Sequence, residues 1–81
     1  MNELEIQDNY IQECRLTVGR FIRNIREQKG LSQDELAESM KVNRSTIVKI
    51  ENGRFSYDLD SLSKLSWVLG FEYNFSIKNR S

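Results

Sequence analysis

A short segment of the chain, residues 44–52 (RSTIVKIEN), combines side chains that are suited to reading the edges of DNA bases. If the segment is helical, Ile47 and Ile50 share one face at i, i+3 spacing. The opposite face carries two cationic groups, a hydroxyl and a methyl-bearing side chain: Arg44, Ser45, Val48 and Lys49. In the major groove, cationic side chains recognise guanine and methyl groups pack on thymine. The spacing therefore predicts a helix with one buried face and one face that contacts bases.

A second short helix is predicted immediately before this segment, at residues 33–40 (QDELAESM). Its apolar side chains share one face, and the small one allows the two helices to approach closely: Leu36, Ala37 and Met40. Ser32 is a favourable N-cap residue, and Glu35 three positions later completes a capping box. Lys41 and Val42 form a turn, and Asn43 is placed to cap the next helix. The two segments together predict a helix, a tight turn and a second helix.

The segment VGRFIRNIREQKGLSQDELAESMKVNRSTIVKIENGR resembles the helix-turn-helix of the Cro/lambda-repressor-like family, also called the XRE family. The most specific parts are GLSQDELAE at the entry to one helix and IENG at the end of the next. The resemblance covers about residues 16–70 and implies an all-α bundle of four to five helices. Lys41 departs from the family, in which glycine is common at the turn, and a left-handed backbone there would be strained for lysine.

The resemblance also implies roles for residues around the predicted DNA-reading helix. It implies an ion pair between Arg26 and Glu51 that bridges two helices. Phosphate contacts, which orient the domain without reading sequence, are expected from five residues: Gln33, Asn43, Thr46, Asn52 and Arg54. The backbone amides that follow the helix, at residues 52–54, are expected to face a phosphate as well. For Gln33 the alternative is an ordinary surface glutamine.

The charge distribution agrees with a nucleic-acid partner, although the 12 basic and 12 acidic side chains cancel. Residues 1–14 carry four acidic side chains and no basic one, whereas residues 15–54 carry nine basic and five acidic ones. The single Cys14 cannot form an internal disulfide, which favours a reducing compartment. No signal segment or membrane-spanning run is present. The expected location is the cytoplasm of a prokaryote or phage-infected cell, in association with the nucleoid.

Residues 1–16 are predicted to form an N-terminal arm before the main domain at residues 17–70. The start of the arm, ELEI, alternates like a short strand, and a helical stretch follows it. An unbroken helix would join the apolar residues of both segments into one continuous stripe: Ile11, Cys14, Val18, Phe21, Ile22 and Ile25. We favour instead a joint near Leu16 and Thr17, with helix one running from Thr17 to Lys29 and ending before Gly30. The apolar stripe of this helix is Val18, Phe21, Ile22 and Ile25. The arm is either partly ordered or a contact for a second subunit or partner.

The last predicted helix begins after Asp58 or Asp60 and buries Leu62, Leu65 and Leu69. Trp67 points away from this face, which makes it a candidate anchor for another surface. The tail covers residues 71–81. Its segment FEYNFSIK, residues 71–78, alternates apolar and polar residues and predicts a β-strand with one apolar face: Phe71, Tyr73, Phe75 and Ile77. A single strand needs a partner, which is the ELEI segment, a second subunit or another protein. Such a strand resembles antitoxin-type members of the family, the HipB-like and HigA-like proteins, where it helps to build the dimer.

The leading functional hypothesis is a sequence-specific DNA-binding regulator, a repressor, acting on double-stranded DNA as a homodimer. Two recognition helices ~34 Å apart would read a near-palindromic operator. One alternative is an antitoxin that also binds a toxin protein, and another is an interaction module that has lost DNA binding. The chain has no histidine, no base beside Cys14, no metal-ligand cluster and no phosphate-binding glycine loop, so an enzyme is not expected. No cofactor, metal or small-molecule substrate is expected.

Overall fold

A computed structural model describes residues 3–77, and side chains from residue 7 onward. Four α-helices follow one another: α1 (Glu3–Gln28), α2 (Gln33–Met40), α3 (Arg44–Glu51) and α4 (Leu59–Leu69). The described residues contain no β-strand. Within the same residues, no helix has the length and apolar character needed to cross a membrane.

The core lies where α1, α2 and α3 meet α4, and it is built from the apolar stripes that the sequence predicts. The fully or almost fully buried side chains are Ile22, Leu36, Ala37, Ile47, Ile50, Leu65 and Leu69. Met40, Val18 and Ile25 pack around them and are partly buried. Ala37 lies at the contact between the two short helices, where its small side chain was expected. The predicted faces of α2 and α3 are therefore confirmed, whereas Phe21 of the α1 stripe is 43% exposed and Leu62 of the α4 face is only half-buried.

The starts of α2 and α4 use capping residues that the sequence predicts. Ser32 Oγ accepts a hydrogen bond from the Glu35 amide at 3.0 Å, and Glu35 Oε1 accepts one from the Ser32 amide at 2.9 Å. The hydrogen bond that the Ser32 amide donates to the carboxylate, together with the interaction of the Ser32 side chain, lowers the pKa of the Glu35 carboxyl. Asp58 rather than Asp60 caps α4, because its Oδ1 accepts from the Ser61 amide at 2.7 Å. The caps supply partners for amides that the first turn of a helix leaves unpaired.

The expected joint between an N-terminal arm and helix one is wrong, because α1 is continuous from Glu3 to Gln28. The backbone of the ELEI segment is helical, so it forms no strand. Two contacts hold the helix against the end of α3: Gln12 Nε2 donates to the Gly53 carbonyl at 3.1 Å, and the Leu16 side chain packs against Gly53. Since α1 passes this end of α3 without a break, there is no joint at Leu16 and Thr17.

The predicted strand in the tail is also wrong for residues 71–77, which have no regular secondary structure. Lys78, the last residue of that predicted strand, and the rest of the tail lie outside the described residues. A strand requires a neighbouring backbone, and the proposed intramolecular neighbour is helical. Side chains hold the start of the tail on the bundle instead. The Phe71 ring meets Phe21 edge-on at 5.0 Å, and the hydroxyl of Tyr73 bonds with that of Ser63 at 2.8 Å.

Candidate nucleic-acid interface

The turn between α2 and α3 sets the angle at which α3 leaves the bundle. Lys41 has φ 58° and ψ 43°, which is a left-handed backbone conformation. The family resemblance led us to expect this conformation here, and it is strained for lysine. The Lys41 and Val42 amides donate to the carbonyls of Glu38 and Ala37, at 3.1 and 3.0 Å. The turn is therefore tight and fully hydrogen-bonded, with one strained residue at its centre.

The predicted base-reading residues lie on the outer face of α3. Arg44, Ser45 and Lys49 are exposed, and Val48 is half-buried. On the opposite face Ile47 and Ile50 belong to the core. The structure thus brings the four candidate residues together on one solvent-facing side of a helix that is anchored by its other side.

The start of α3 differs in one detail from the expected cap. Asn43 has the extended backbone of an N-cap residue, φ −77° and ψ 152°, but its side chain makes no capping hydrogen bond. The Thr46 amide donates to the Asn43 carbonyl at 2.9 Å, and the Thr46 side chain is half-buried. The first turn of α3 therefore lacks a side-chain acceptor of its own, which suits the approach of a phosphate.

The backbone amides at the end of α3 do not face outward, contrary to expectation. The amides of Asn52, Gly53 and Arg54 donate to the carbonyls of Val48, Ile50 and Lys49, at 3.0, 3.2 and 2.8 Å. The last carbonyls of a helix need donors, and these amides supply them. The side chains of Asn52 and Arg54 are exposed, so only they remain available for a phosphate.

The expected ion pair between Arg26 and Glu51 is present and joins α1 to α3. Arg26 Nε lies 2.6 Å from Glu51 Oε2, and Arg26 Nη2 donates to Glu51 Oε1 at 3.0 Å. Arg26 Nη1 also donates to the Leu31 carbonyl at 2.7 Å. Glu51 is 8% exposed, and the hydrogen bonds that it accepts raise the pKa of Arg26. A buried charge with this many partners is fixed in position.

Gln33 connects this ion pair to the predicted base-reading residue Arg44. Its Nε2 donates to Glu51 Oε1 at 3.2 Å, and its Oε1 accepts from Arg44 Nε at 3.3 Å. Gln33 is half-buried, so the alternative of an ordinary surface glutamine does not describe its contacts. The sequence analysis did not predict these two contacts of Gln33, whose partners are 18 and 11 residues away along the chain.

Gly19 is a second residue whose importance the sequence analysis missed. A Cβ atom at this position of α1 would collide with the carbonyl oxygen of Ile50 and lie 3.1 Å from that of Glu51. Glycine therefore allows α1 to cross the end of α3 at close range. The available signal was a glycine in the middle of a predicted helix, where it normally weakens helix formation.

An anchored helix with an exposed polar face, preceded by a short capped helix and a tight turn, defines a helix-turn-helix DNA-binding domain. Among the residues that the structure describes, no cluster of side chains is suited to holding a metal ion. The outer face of α3 presents the hydrogen-bond donors of Arg44, Ser45 and Lys49, with the half-buried methyl groups of Val48 beside them.

Comparisons with known proteins agree with this class. The helix-turn-helix family model matches residues 22–74. The chain is 42% identical over 53 residues to an uncharacterized HTH-type transcriptional regulator of Methanothermobacter thermautotrophicus, covering 65% of this chain and 77% of that protein. It is 35% identical over 57 residues to the immunity repressor protein of Bacillus phage phi105, covering 70% of this chain but only 40% of the repressor.

Among solved structures, the restriction-modification controller protein C.AhdI from Aeromonas hydrophila matches with a TM-score of 0.69 and 32% identity, over 74% of this chain and 91% of that protein. The chain therefore belongs to the helix-turn-helix family, of the Cro/lambda-repressor-like (XRE) type. The members of this family are DNA-binding transcriptional regulators.

Proposed function

We propose that the protein is a transcriptional repressor that binds a near-palindromic DNA operator as a homodimer. The observation that carries the proposal is the outer face of α3, where Arg44, Ser45 and Lys49 are exposed while Ile47 and Ile50 anchor the helix in the core. A recognition helix must present donors to the major groove from a rigid scaffold. The capping box, the tight turn and the buried ion pair supply that rigidity.

Each residue of the α3 face has a proposed role. Arg44 donates to guanine, Val48 packs on a thymine methyl, and Ser45 and Lys49 bond with bases or nearby phosphates. Phosphate contacts come from side chains at the edges of the motif: Gln33, Asn43, Thr46, Asn52 and Arg54. Because residues 15–54 carry nine basic and five acidic side chains, the non-specific attraction to DNA is modest and decreases as salt rises.

A surface on α4 and the tail is proposed to hold the second subunit. Trp67 and Phe75 are each 88% exposed, and Ile77 is 99% exposed. Phe71 and Tyr73 are half-buried and hold the tail on the bundle, Phe71 through Phe21 of α1 and Tyr73 through Ser63 of α4. Beside Trp67 lies an open groove of about 630 Å³, whose apolar lining includes Met40, Val42 and Val68. Large exposed apolar surfaces of this kind favour protein contacts.

Selection of bound duplexes from a random DNA library, at one near-physiological salt concentration, tests the proposed function. We expect an inverted repeat whose half-site centres are about 10 base pairs apart, because two recognition helices in a dimer are about one DNA turn apart. Enrichment of a single half-site would contradict the dimer. If no sequence is enriched and the affinity for DNA simply decreases as the salt concentration rises, sequence-specific recognition is contradicted.

The same exposed surface also fits the second candidate, an antitoxin that covers a toxin protein. The variant Trp67→Ala separates the two uses of the surface. If Trp67 holds the second subunit, the variant sediments as a monomer and loses affinity for the inverted repeat. If the variant remains a dimer with unchanged DNA affinity, the exposed tryptophan serves a different protein partner, as an antitoxin requires.

A further inference from the structure

We propose that Gln12 positions Arg54 for contact with a DNA phosphate, by holding the peptide unit that precedes Arg54. The proposal rests on the proposed function, because it concerns how the end of α3 meets the DNA backbone. Its basis is a hydrogen bond between the first half of α1 and the turn after α3: Gln12 Nε2 donates to the Gly53 carbonyl at 3.1 Å. Gln12 precedes residue 22, where the family match begins, so family membership does not account for this contact.

Three residues of α1 form the stripe that meets the end of α3. Gln12, Leu16 and Gly19 follow one another at i, i+4 and i+7, a spacing that places them on one face of a helix. Gln12 bonds to the Gly53 carbonyl, and the Leu16 side chain packs against Gly53. Gly19 lies against the last carbonyls of α3. The stripe therefore follows the last turn of α3 and continues onto the turn after it, where Gln12 supplies the polar contact.

Gly53 is the residue at which this turn could change direction. Its φ is +73°, and glycine leaves this left-handed conformation as readily as it adopts it, because it has no Cβ. A Cβ added at Gly53 would lie 2.6 Å from the Leu16 side chain. The close packing of α1 on the turn therefore requires glycine, and the freedom of glycine must be restricted by a contact from outside the turn.

The peptide unit between Gly53 and Arg54 is held at both ends. Its carbonyl accepts from Gln12 at 3.1 Å, and its N–H group donates to the Lys49 carbonyl at 2.8 Å. A trans peptide unit is planar, with its C=O and N–H groups on opposite sides, so the two hydrogen bonds together fix its rotation. The Cα atom of Arg54 belongs to the same plane, and the exposed side chain of Arg54 leaves the bundle from that fixed point.

The consequence is a defined origin for the Arg54 guanidinium. Ordering a long side chain on a phosphate costs conformational entropy, and a backbone that is already fixed reduces that cost. Phosphate contacts carry no information about the base sequence. Loss of the Gln12 contact should therefore weaken the binding of every duplex by the same factor and leave the base preferences unchanged. Gln12 is thus a positioning residue that acts through Arg54.

The first test compares Gln12→Met with Gln7→Met, the same exchange at an exposed position of the same helix. Methionine is as good a helix former as glutamine, so both variants keep α1. Binding is measured to the selected operator and to a duplex with one recognised base pair changed in each half-site. A hydrogen bond of ordinary strength corresponds to a roughly two- to tenfold change in affinity.

We expect Gln12→Met to weaken both duplexes by such a factor while the ratio of the two affinities stays the same, and Gln7→Met to weaken neither. Equal affinities of the two variants, or a changed ratio in Gln12→Met, would overturn the proposal while leaving operator recognition intact.

A double substitution distinguishes action through Arg54 from a general effect on the fold. Arg54→Met removes the phosphate contact, which should make the dependence of log K on log salt less steep by about 0.9 for each contact, or about 1.8 for a dimer. In the Arg54→Met background Gln12 has nothing left to position, so we expect Gln12→Met to cause less than about a twofold further loss. The same loss with and without Arg54 would overturn the proposal. So would an unchanged salt dependence in Arg54→Met, because Arg54 would then contact no phosphate.

The third test needs no DNA and therefore gives a result even if no operator is selected. It follows the exchange of the Arg54 amide hydrogen with solvent, by NMR, in the unmodified protein, Gln12→Met and Gln7→Met. Amide exchange reports local opening, so we expect roughly two- to tenfold faster exchange in Gln12→Met and no change in Gln7→Met. Absence of a selected operator is a failure of the proposed function, whereas equal exchange rates in the two variants would overturn the fixed peptide unit itself.

Discussion

Replacing Gly19 by alanine is expected to lower stability, although alanine is the better helix former. In an exposed helix the exchange would stabilise by about 1 kcal/mol. At Gly19 the added Cβ would meet the carbonyl oxygens of Ile50 and Glu51, the second at 3.1 Å, and both belong to the backbone. These atoms cannot move aside as a flexible side chain can, so α1 must shift away from α3.

The magnitude follows from the two opposing effects. Forcing an extra carbon into a well-packed contact costs roughly 1–3 kcal/mol, and a collision with rigid backbone favours the upper end. After subtraction of the helix-forming gain, we expect a net loss of about 2 kcal/mol. For a domain of this size that corresponds to a decrease in Tm of about 8–16 °C.

Thermal and urea unfolding, followed by circular dichroism at one fixed protein concentration, measure this effect. Gly30→Ala is the control, because Gly30 has φ +70° and no atom within 4 Å of the added Cβ. It reports the cost of backbone strain without a collision, about 1 kcal/mol. A higher Tm for Gly19→Ala than for the unmodified protein would refute the close packing of α1 on α3.

Three further predictions concern single side chains. Lys41→Gly relieves the left-handed strain at φ 58°. The entropy that glycine adds to the unfolded chain offsets part of this gain, so we expect a stabilisation of up to about 1 kcal/mol in urea unfolding. A lower stability of the variant would contradict the strained turn. Arg26→Met leaves Glu51 buried without its partner and should lower the free energy of unfolding by about 3–5 kcal/mol. Arg23→Met, at an exposed pair, should lower it by less than about 1 kcal/mol. Equal losses in the two variants would contradict a stabilising role of the buried ion pair. Burial raises the pKa of Tyr57 to about 12, and its hydroxyl has no hydrogen-bond partner within residues 3–77. Its contribution to stability is therefore complete below the unfolded pKa of about 10 and is lost as pH rises toward 12. Tyr57→Phe should be no less stable at pH 7 and should lose less stability between pH 10 and 12; an unchanged alkaline loss would contradict the buried hydroxyl.

The parts of the fold that depend on local sequence were predictable. The apolar spacing of α2, α3 and α4 and the caps at Ser32 and Asp58 involve residues within a few positions of one another, so the pattern alone defines them. Lys41 was likewise expected to be strained, because the family resemblance places a left-handed residue there.

Most features that depend on distant residues were not predictable, and the ion pair of Arg26 and Glu51, 25 residues apart, was implied only by the family resemblance. The sequence left open whether α1 is continuous, and the structure decides it: the helix is unbroken and Gln12 bonds to Gly53, 41 residues away. The tail has the alternation of a strand, but alternation does not supply the second backbone that a strand needs. Similarly, Gln33 was expected to bind a phosphate, whereas its hydrogen bonds to Glu51 and Arg44 depend on helices that meet in space.

The most direct test of the central claim is a parallel selection from one random duplex library with the unmodified protein, Arg44→Ala and Arg23→Ala. Each of the two variants removes one positive charge, but only Arg44 lies on the outer face of α3. We expect Arg23→Ala to select the same inverted repeat as the unmodified protein. Arg44→Ala should bind that repeat more weakly by about 1–3 kcal/mol and lose its preference at one position in each half-site. If Arg44→Ala instead weakens all sequences equally, or retains the full preference, Arg44 does not read a base and the account of α3 is wrong.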